Sequence, residues 1–136
     1  MHILSSLDEF LLEIAQSADI CLKPWKHSVL QTNNSDSSKF TLDNFNELIL
    51  KIESRDLKGV RYVEHDMDLE VYRSGVELNV ILSWSSFPLK PILWQGEHSL
   101  WMNANTGQRT TTPTDGLKLE SLARRLRSQL SLLVID

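Results

Sequence analysis

Apolar residues recur along this chain with two different periods. Near the start, Leu7, Phe10, Leu11, Ile14 and Ala18 fall at the spacing of one helix face, and Ser6 with Glu9 forms a capping-box signal in front of them. The spacing predicts a helix from about Leu7 to Ser17. A second helix is predicted from an N-cap at Thr41 or Asp43 to about Glu53, with Leu42, Phe45, Leu48, Ile49 and Ile52 on one face and Asn44, Glu47 and Lys51 on the other. A third begins near Thr114 or Asp115 and runs to about Leu133. Its buried stripe is Leu119, Leu122, Leu126, Leu130 and Leu133, and Lys118, Arg124, Arg125 and Arg127 decorate the polar side.

The second period is two. From Arg61 to Tyr72, Val63, His65, Met67, Leu69 and Val71 alternate with Tyr62, Glu64, Asp66, Asp68, Glu70 and Tyr72. From Val76 to Trp84, Val76, Leu78, Val80, Leu82 and Trp84 form the apolar side. A turn at Ser74-Gly75 lets the two runs pair antiparallel, because glycine tolerates the positive φ of tight hairpin turns. With Arg73 opposite Val76, Val71 faces Leu78, Leu69 faces Val80, Met67 faces Leu82 and His65 faces Trp84. The other side pairs Tyr72 with Glu77, Glu70 with Asn79, Asp68 with Ile81 and Asp66 with Ser83. A slip of one residue would carry the carboxylates into the core.

Pro88 and Pro91 place Ile92–Gln95 at a sheet edge or after a bend, and a turn at Gln95-Gly96-Glu97 before Ser99–Met102 predicts a second hairpin. Ile20–Leu30 has some strand character, Gln31–Lys39 is a polar loop rich in Asn and Ser, and residues 103–116 form a long exposed loop. The expected architecture is α+β in one domain spanning residues 1–136: an antiparallel sheet of about four strands, made of two consecutive hairpins. N-terminal, middle and C-terminal helices cover one of its faces.

A chain of 136 residues is long enough for one proper core. The net charge of −4 argues against nucleic-acid binding, which needs a basic surface to release counterions. Its distribution is uneven. Residues 1–70 carry 13 acids against 7 bases, and residues 71–136 carry 5 against 7. The lone Cys21, between Ile20 and Leu22, is expected as a small buried apolar residue. Residues 1–20 lack the basic start of a signal peptide and no apolar run reaches bilayer length, so the expectation is a cytoplasmic protein without membrane contact.

The most informative chemical feature is the row Glu64, Asp66, Asp68 and Glu70, whose side chains an extended strand would project on one face at a spacing of about 7 Å. Three readings fit it. The row is a solvated outer face; or it is a docking surface for a basic protein, with Tyr62 and Tyr72 at its ends as aromatic anchors; or it is a divalent-metal site completed by another segment. His65 alternates with apolar residues and is expected against Trp84, while His27 and His98 lie in irregular stretches without zinc-site spacing. No nucleophile elbow, phosphate loop or dinucleotide fingerprint occurs, so no cofactor is implied. Trp94 and Trp101 flank the second turn, as cross-strand packing or as an exposed aromatic patch.

These features lead to a non-enzymatic protein-binding module. Its expected partner-binding residues are Tyr62, Glu64, Asp66, Asp68, Glu70, Tyr72, Trp94 and Trp101, and its expected partner is basic, possessing the charge that acidic inhibitors of the bacterial immunity or antitoxin kind neutralise. One alternative is a metal-dependent hydrolase or nuclease using Asp66 and Asp68 with His98 or His27. Another is a homodimer or larger homo-oligomer, with the acidic face of one copy meeting the basic helix of the next.

Overall fold

A computed structural model describes residues 7–32, 47–75 and 77–135, with side chains described as far as Leu130. Helix α1 (Leu7–Cys21) is followed by strands β1 (Lys26–Gln31), β2 (Glu47–Arg55), β3 (Met67–Ser74), β4 (Glu77–Trp84), β5 (Ile92–Gln95) and β6 (Ser99–Met102), and then by helix α2 (Gly116–Ile135). The strands form one sheet in chain order, every neighbouring pair antiparallel. The α+β class and both expected hairpins are present. Among the described residues the sheet has six strands rather than about four, and two helices cover it rather than three.

The correction concerns the middle helix. Residues 47–53 belong to β2, and residues 41–46 of that expectation, with Leu42 and Phe45, lie outside the described residues. Leu48, Leu50, Ile52 and Ser54 are buried in strict alternation with Glu47, Ile49, Lys51 and Glu53. Leu48, Ile49 and Ile52 fit a helix face, yet Leu48, Leu50 and Ile52 fit a strand face equally well. Hydrogen-bonding neighbours on both sides, β1 and β3, decide between them.

The core lies between the sheet and the helices. Leu48, Leu50, Ile52, Met67, Leu69, Val71, Leu78, Val80, Leu82, Trp84, Leu93 and Trp101 point toward Leu7, Phe10, Ile14 and Ala18 of α1 and Leu119, Leu122, Ala123, Leu126 and Leu130 of α2. Each large side chain so buried contributes about 1.5–3 kcal/mol against exposure. α1 lies along β1, and α2 crosses β4 and β5. Two polar ties fix the helices: Ser17 Oγ donates to Gln129 Oε1 (2.7 Å), and Arg127 Nε donates to the Leu78 carbonyl (2.8 Å). Cys21 is half-buried rather than buried, packed at the core's margin, where burial pushes its thiol pKa up and the nearby Arg125 charge partly opposes this.

The β3–β4 register is two residues from the expected one. Met67 pairs with Trp84, Leu69 with Leu82, Val71 with Val80, Arg73 with Leu78 and Ser74 with Glu77. Gly75, at φ +65°, therefore stands first in the two-residue loop instead of second. Moving the loop by one residue moves the register by two, so every side chain keeps its face and changes its partner.

The run Arg61–Tyr72 is not one strand either. Val63–His65 is a turn of 3-10 helix, and β3 begins only at Met67.

Candidate functional site

Both helices lie on one side of the sheet, so the other side carries the second set of alternating side chains. The pairing aligns Ile49, Glu70, Ile81, Trp94 and Leu100 in a line across five strands. Beside it run Leu30, Lys51, Asp68 and Ser83 on one flank and Glu47, Tyr72 and Asn79 on the other. Ile92 and Met102, paired with each other, continue the same face. Leu30 and Ile49 are 40% and 37% exposed, and Ile81, Ile92, Trp94, Leu100 and Met102 are half-buried. An outer sheet face is ordinarily polar, and seven large apolar side chains on one depart from that alternation.

Trp94 is held in place. Its Nε1–H donates to the Tyr72 hydroxyl (2.7 Å), and its six-membered ring lies against Gly96. A Cβ on Gly96 would come within 2.5 Å of Trp94 Cη2 and 3.1 Å of Asn79 Oδ1, so only glycine lets the indole lie down over the β5–β6 turn.

One carboxyl group, that of Glu70, sits within this apolar line, with Glu47 and Asp68 on its flanks. Burial raises the pKa of Glu70, and its hydrogen bond to Glu47 and the charge of Glu47 raise it further. Asp68, the exposed neighbour two residues away, accepts a hydrogen bond from Ser85 Oγ (2.8 Å) and stands opposite Lys51.

Of the eight residues expected to bind a partner, Asp68, Glu70, Tyr72 and Trp94 share this face. The other four do not. Asp66 is fully buried and forms a two-pronged ion pair with Arg61 (Nη1–Oδ1 2.7 Å, Nη2–Oδ2 2.8 Å), while the Ser54 N–H donates to Oδ1 (2.8 Å). Burial alone would raise the Asp66 carboxyl, but the Arg61 and Ser54 hydrogen bonds and the charges of Arg61 and Lys51 outweigh it and hold the pKa below its ordinary value. Glu64 is exposed on the 3-10 turn, and Tyr62 packs on Trp25 with ring centroids 4.8 Å apart. Trp101 is 3% exposed on the helix side, stacked on Trp84 at 5.9 Å and donating from Nε1 to Glu120 (2.9 Å).

The four-membered acidic row is thus absent. The 3-10 turn breaks the alternation between Glu64 and Asp68, and the chain's own Arg61 neutralises Asp66. The same geometry bears on the metal alternative: Asp66 is spent on Arg61 and Asp68 opens onto the outer face. Among the described residues no three His, Cys, Asp or Glu side chains gather in a way that would hold a metal ion. Two of the four basic residues of α2 are also engaged within the chain, since Arg127 reaches Glu77 (3.4 Å) and the Leu78 carbonyl, and Arg124 reaches Glu120 (3.6 Å).

His65 is exposed and stacks on Trp25 at 4.4 Å, rather than packing opposite Trp84, because it precedes β3. The participation of Ile49, Ile81 and Leu100 escaped sequence reasoning. Their signal was an apolar residue on the wrong side of each alternation: Ile49 between Leu48 and Leu50, and Ile81 between Val80 and Leu82.

No helix among the described residues is long and apolar enough to cross a membrane. No curated protein and no solved structure gives a significant match to this chain. A family model does match residues 11–129, covering all six strands and most of both helices, and the chain belongs to that family, a domain of unknown function (DUF8659).

Proposed function

We propose that this chain is a non-enzymatic, cytoplasmic protein-binding module that docks a basic partner through the outer face of its sheet, as an inhibitor or immunity-type protein would. One observation carries the reading: an apolar line, Ile49, Ile81, Trp94 and Leu100, lies on the face away from both helices and has Glu70 set into it, with Glu47 hydrogen-bonded to Glu70 from the flank. Apolar surface of this kind gains free energy when a partner removes it from water. Two adjacent carboxylates repel, and an arginine or lysine placed between them would relieve the repulsion. Trp94 and Tyr72, already fixed by their mutual hydrogen bond, lose little conformational entropy on contact.

The binding residues are then Asp68, Glu70, Tyr72 and Trp94, joined by Ile49, Ile81 and Leu100. The test is capture from lysate by immobilised wild-type protein, Ile81→Lys and Glu70→Lys, each checked for intact fold by circular dichroism. The expected result is retention of a basic protein that both substitutions and raised salt abolish. Retention that neither substitution weakens would discard the outer face as the interface. Recovery of the chain itself, with sedimentation rising with concentration, would replace a foreign partner by a second copy.

A further inference from the structure

On the opposite side of the sheet, where the α1–β1 connection meets the start of α2, the packing leaves a cavity of about 170 Å³. Its walls are Leu22, Trp25, Met67, Trp84 and Leu119, with His65 beside Trp25. The side chain of His27, only 1% exposed, lies at the floor with Ser54, its partner across β1 and β2. The mouth is charged: Lys23, Asp115 and Lys118 are all exposed.

The floor carries two polar side chains, of which Ser54 is satisfied by the His65 carbonyl. His27 Nδ1 is hydrogen-bonded to Asp19 Oδ1 at 2.9 Å, which fixes the ring with Nδ1 as the donor. Burial lowers the His27 pKa more than the hydrogen bond and charge of Asp19 raise it, while Lys26 adds to the lowering and Asp66 opposes it, which favours the neutral ring. Nε2 is then an acceptor without a partner among the described residues. Asp19, His27 and Ser54 resemble an acid, base and nucleophile in order. However, Ser54 is fully buried and its hydroxyl donates to the His65 carbonyl (3.0 Å) rather than to His27, so the arrangement suits binding and not acyl transfer.

Size and charge narrow the ligand. A cavity of about 150 Å³ accepts one benzene ring, so this one takes a single ring with a small substituent and excludes nucleotides. Aromatic walls favour a flat ring. Two lysines against one aspartate leave one net positive charge at the mouth, and neither lysine has an ion-pair partner among the described residues.

We propose that this cavity binds a monocyclic aromatic carboxylate bearing a hydroxyl or amino group, with His27 Nε2 accepting the ring substituent's hydrogen at the floor and Lys23 and Lys118 holding the carboxylate at the mouth. The site is separate from the outer-face surface and stands or falls independently of it.

The test is titration of the full chain with 4-hydroxybenzoate, followed by amide chemical-shift mapping and tryptophan fluorescence, with phenol and acetate as controls. The expected result is saturable binding at about 1 mM or tighter, which is what a ligand of this size reaches in a preformed site. Shifts should fall on Trp25, His27, His65, Trp84 and Lys118 and spare Trp94. Replacing both exposed lysines (Lys23→Gln with Lys118→Gln) should weaken binding about tenfold or more, because charge-assisted contacts are lost. Phenol should bind more weakly than 4-hydroxybenzoate, and acetate should not bind detectably. Absence of saturation by about 20 mM, shifts centred on Trp94, or equal affinity for phenol with no effect of the lysine replacements would overturn the proposal.

Discussion

The two faces of this sheet are made by the same strands, residue by alternate residue, and they obey different rules. On the face beneath α1 and α2, the buried positions from Leu48 to Trp101 are predominantly apolar, and the buried Asp66 is paired with Arg61. On the other face, apolar side chains stand beside the carboxyls of Glu47, Asp68 and Glu70, and burial together with the hydrogen bond and charge of Glu47 raises the pKa of Glu70. The first face is settled by this chain alone. The second leaves apolar side chains half-buried or exposed, and this difference separates the core from the face proposed above to dock a partner.

The largest effect expected from breaking the comparison comes at the buried ion pair of Asp66 with Arg61. Arg61→Ala strands the buried Asp66 carboxylate and should cost about 3–5 kcal/mol in urea unfolding at pH 7. The pH dependence has a definite sign. Because the folded-state pKa of Asp66 lies below its unfolded value, the wild-type pair contributes fully above the ordinary carboxylate range, and its contribution is lost as pH falls through the folded value. Arg61→Ala should remove most of that acid-dependent loss. An unchanged stability curve would show that the pair contributes nothing.

Next in size is a contrast between neighbours in β4. Leu82 is fully buried and Ile81 half-buried on the opposite side. Leu82→Ala should cost about 3 kcal/mol, as cavity-forming core substitutions do, and Ile81→Ala about 1 kcal/mol or less. Equal losses would mean that something in this chain already covers Ile81, and the outer face would cease to be available.

The smallest effect should have the opposite sign. Glu70→Gln removes a like-charge contact with Glu47 and should stabilise the fold by about 0.5 kcal/mol at pH 7. Since the folded pKa of Glu70 is raised, its ionisation opposes folding above the ordinary carboxylate range, and the advantage of the variant should vanish as pH falls below it. A destabilised variant would show that the carboxylate is stabilised by its surroundings.

Much of this arrangement was legible in the sequence where short-range pattern and turn chemistry agreed. The start of α1, the position of α2, the β3–β4 and β5–β6 hairpins and the outward position of Asp68, Glu70 and Tyr72 all follow from periodicity with Gly75 and Gly96 as punctuation, while α1 runs on past Ser17 to Cys21. What escaped was information held by distant partners. β2 satisfies both periods until β1 and β3 are placed beside it. Asp66 sits in phase with Asp68 on paper, but the 3-10 turn at Val63–His65 precedes it, and Arg61 captures it from five residues upstream. Trp94 and Trp101 looked like a pair across the second hairpin. In the actual register Trp94 stands opposite Leu100 and Trp101 opposite Leu93, which sends the two indoles to opposite sides.

The order of the sheet also bears on how the chain assembles. Each strand finds its mate in the next one along, so the ribbon can zip forward by successive short closures, with little entropy spent on joining remote ends. Only the last helix must travel back, to lock against the first. A protein so arranged should acquire its shape quickly for one so rich in strands, with the arrival of its final segment as the late event.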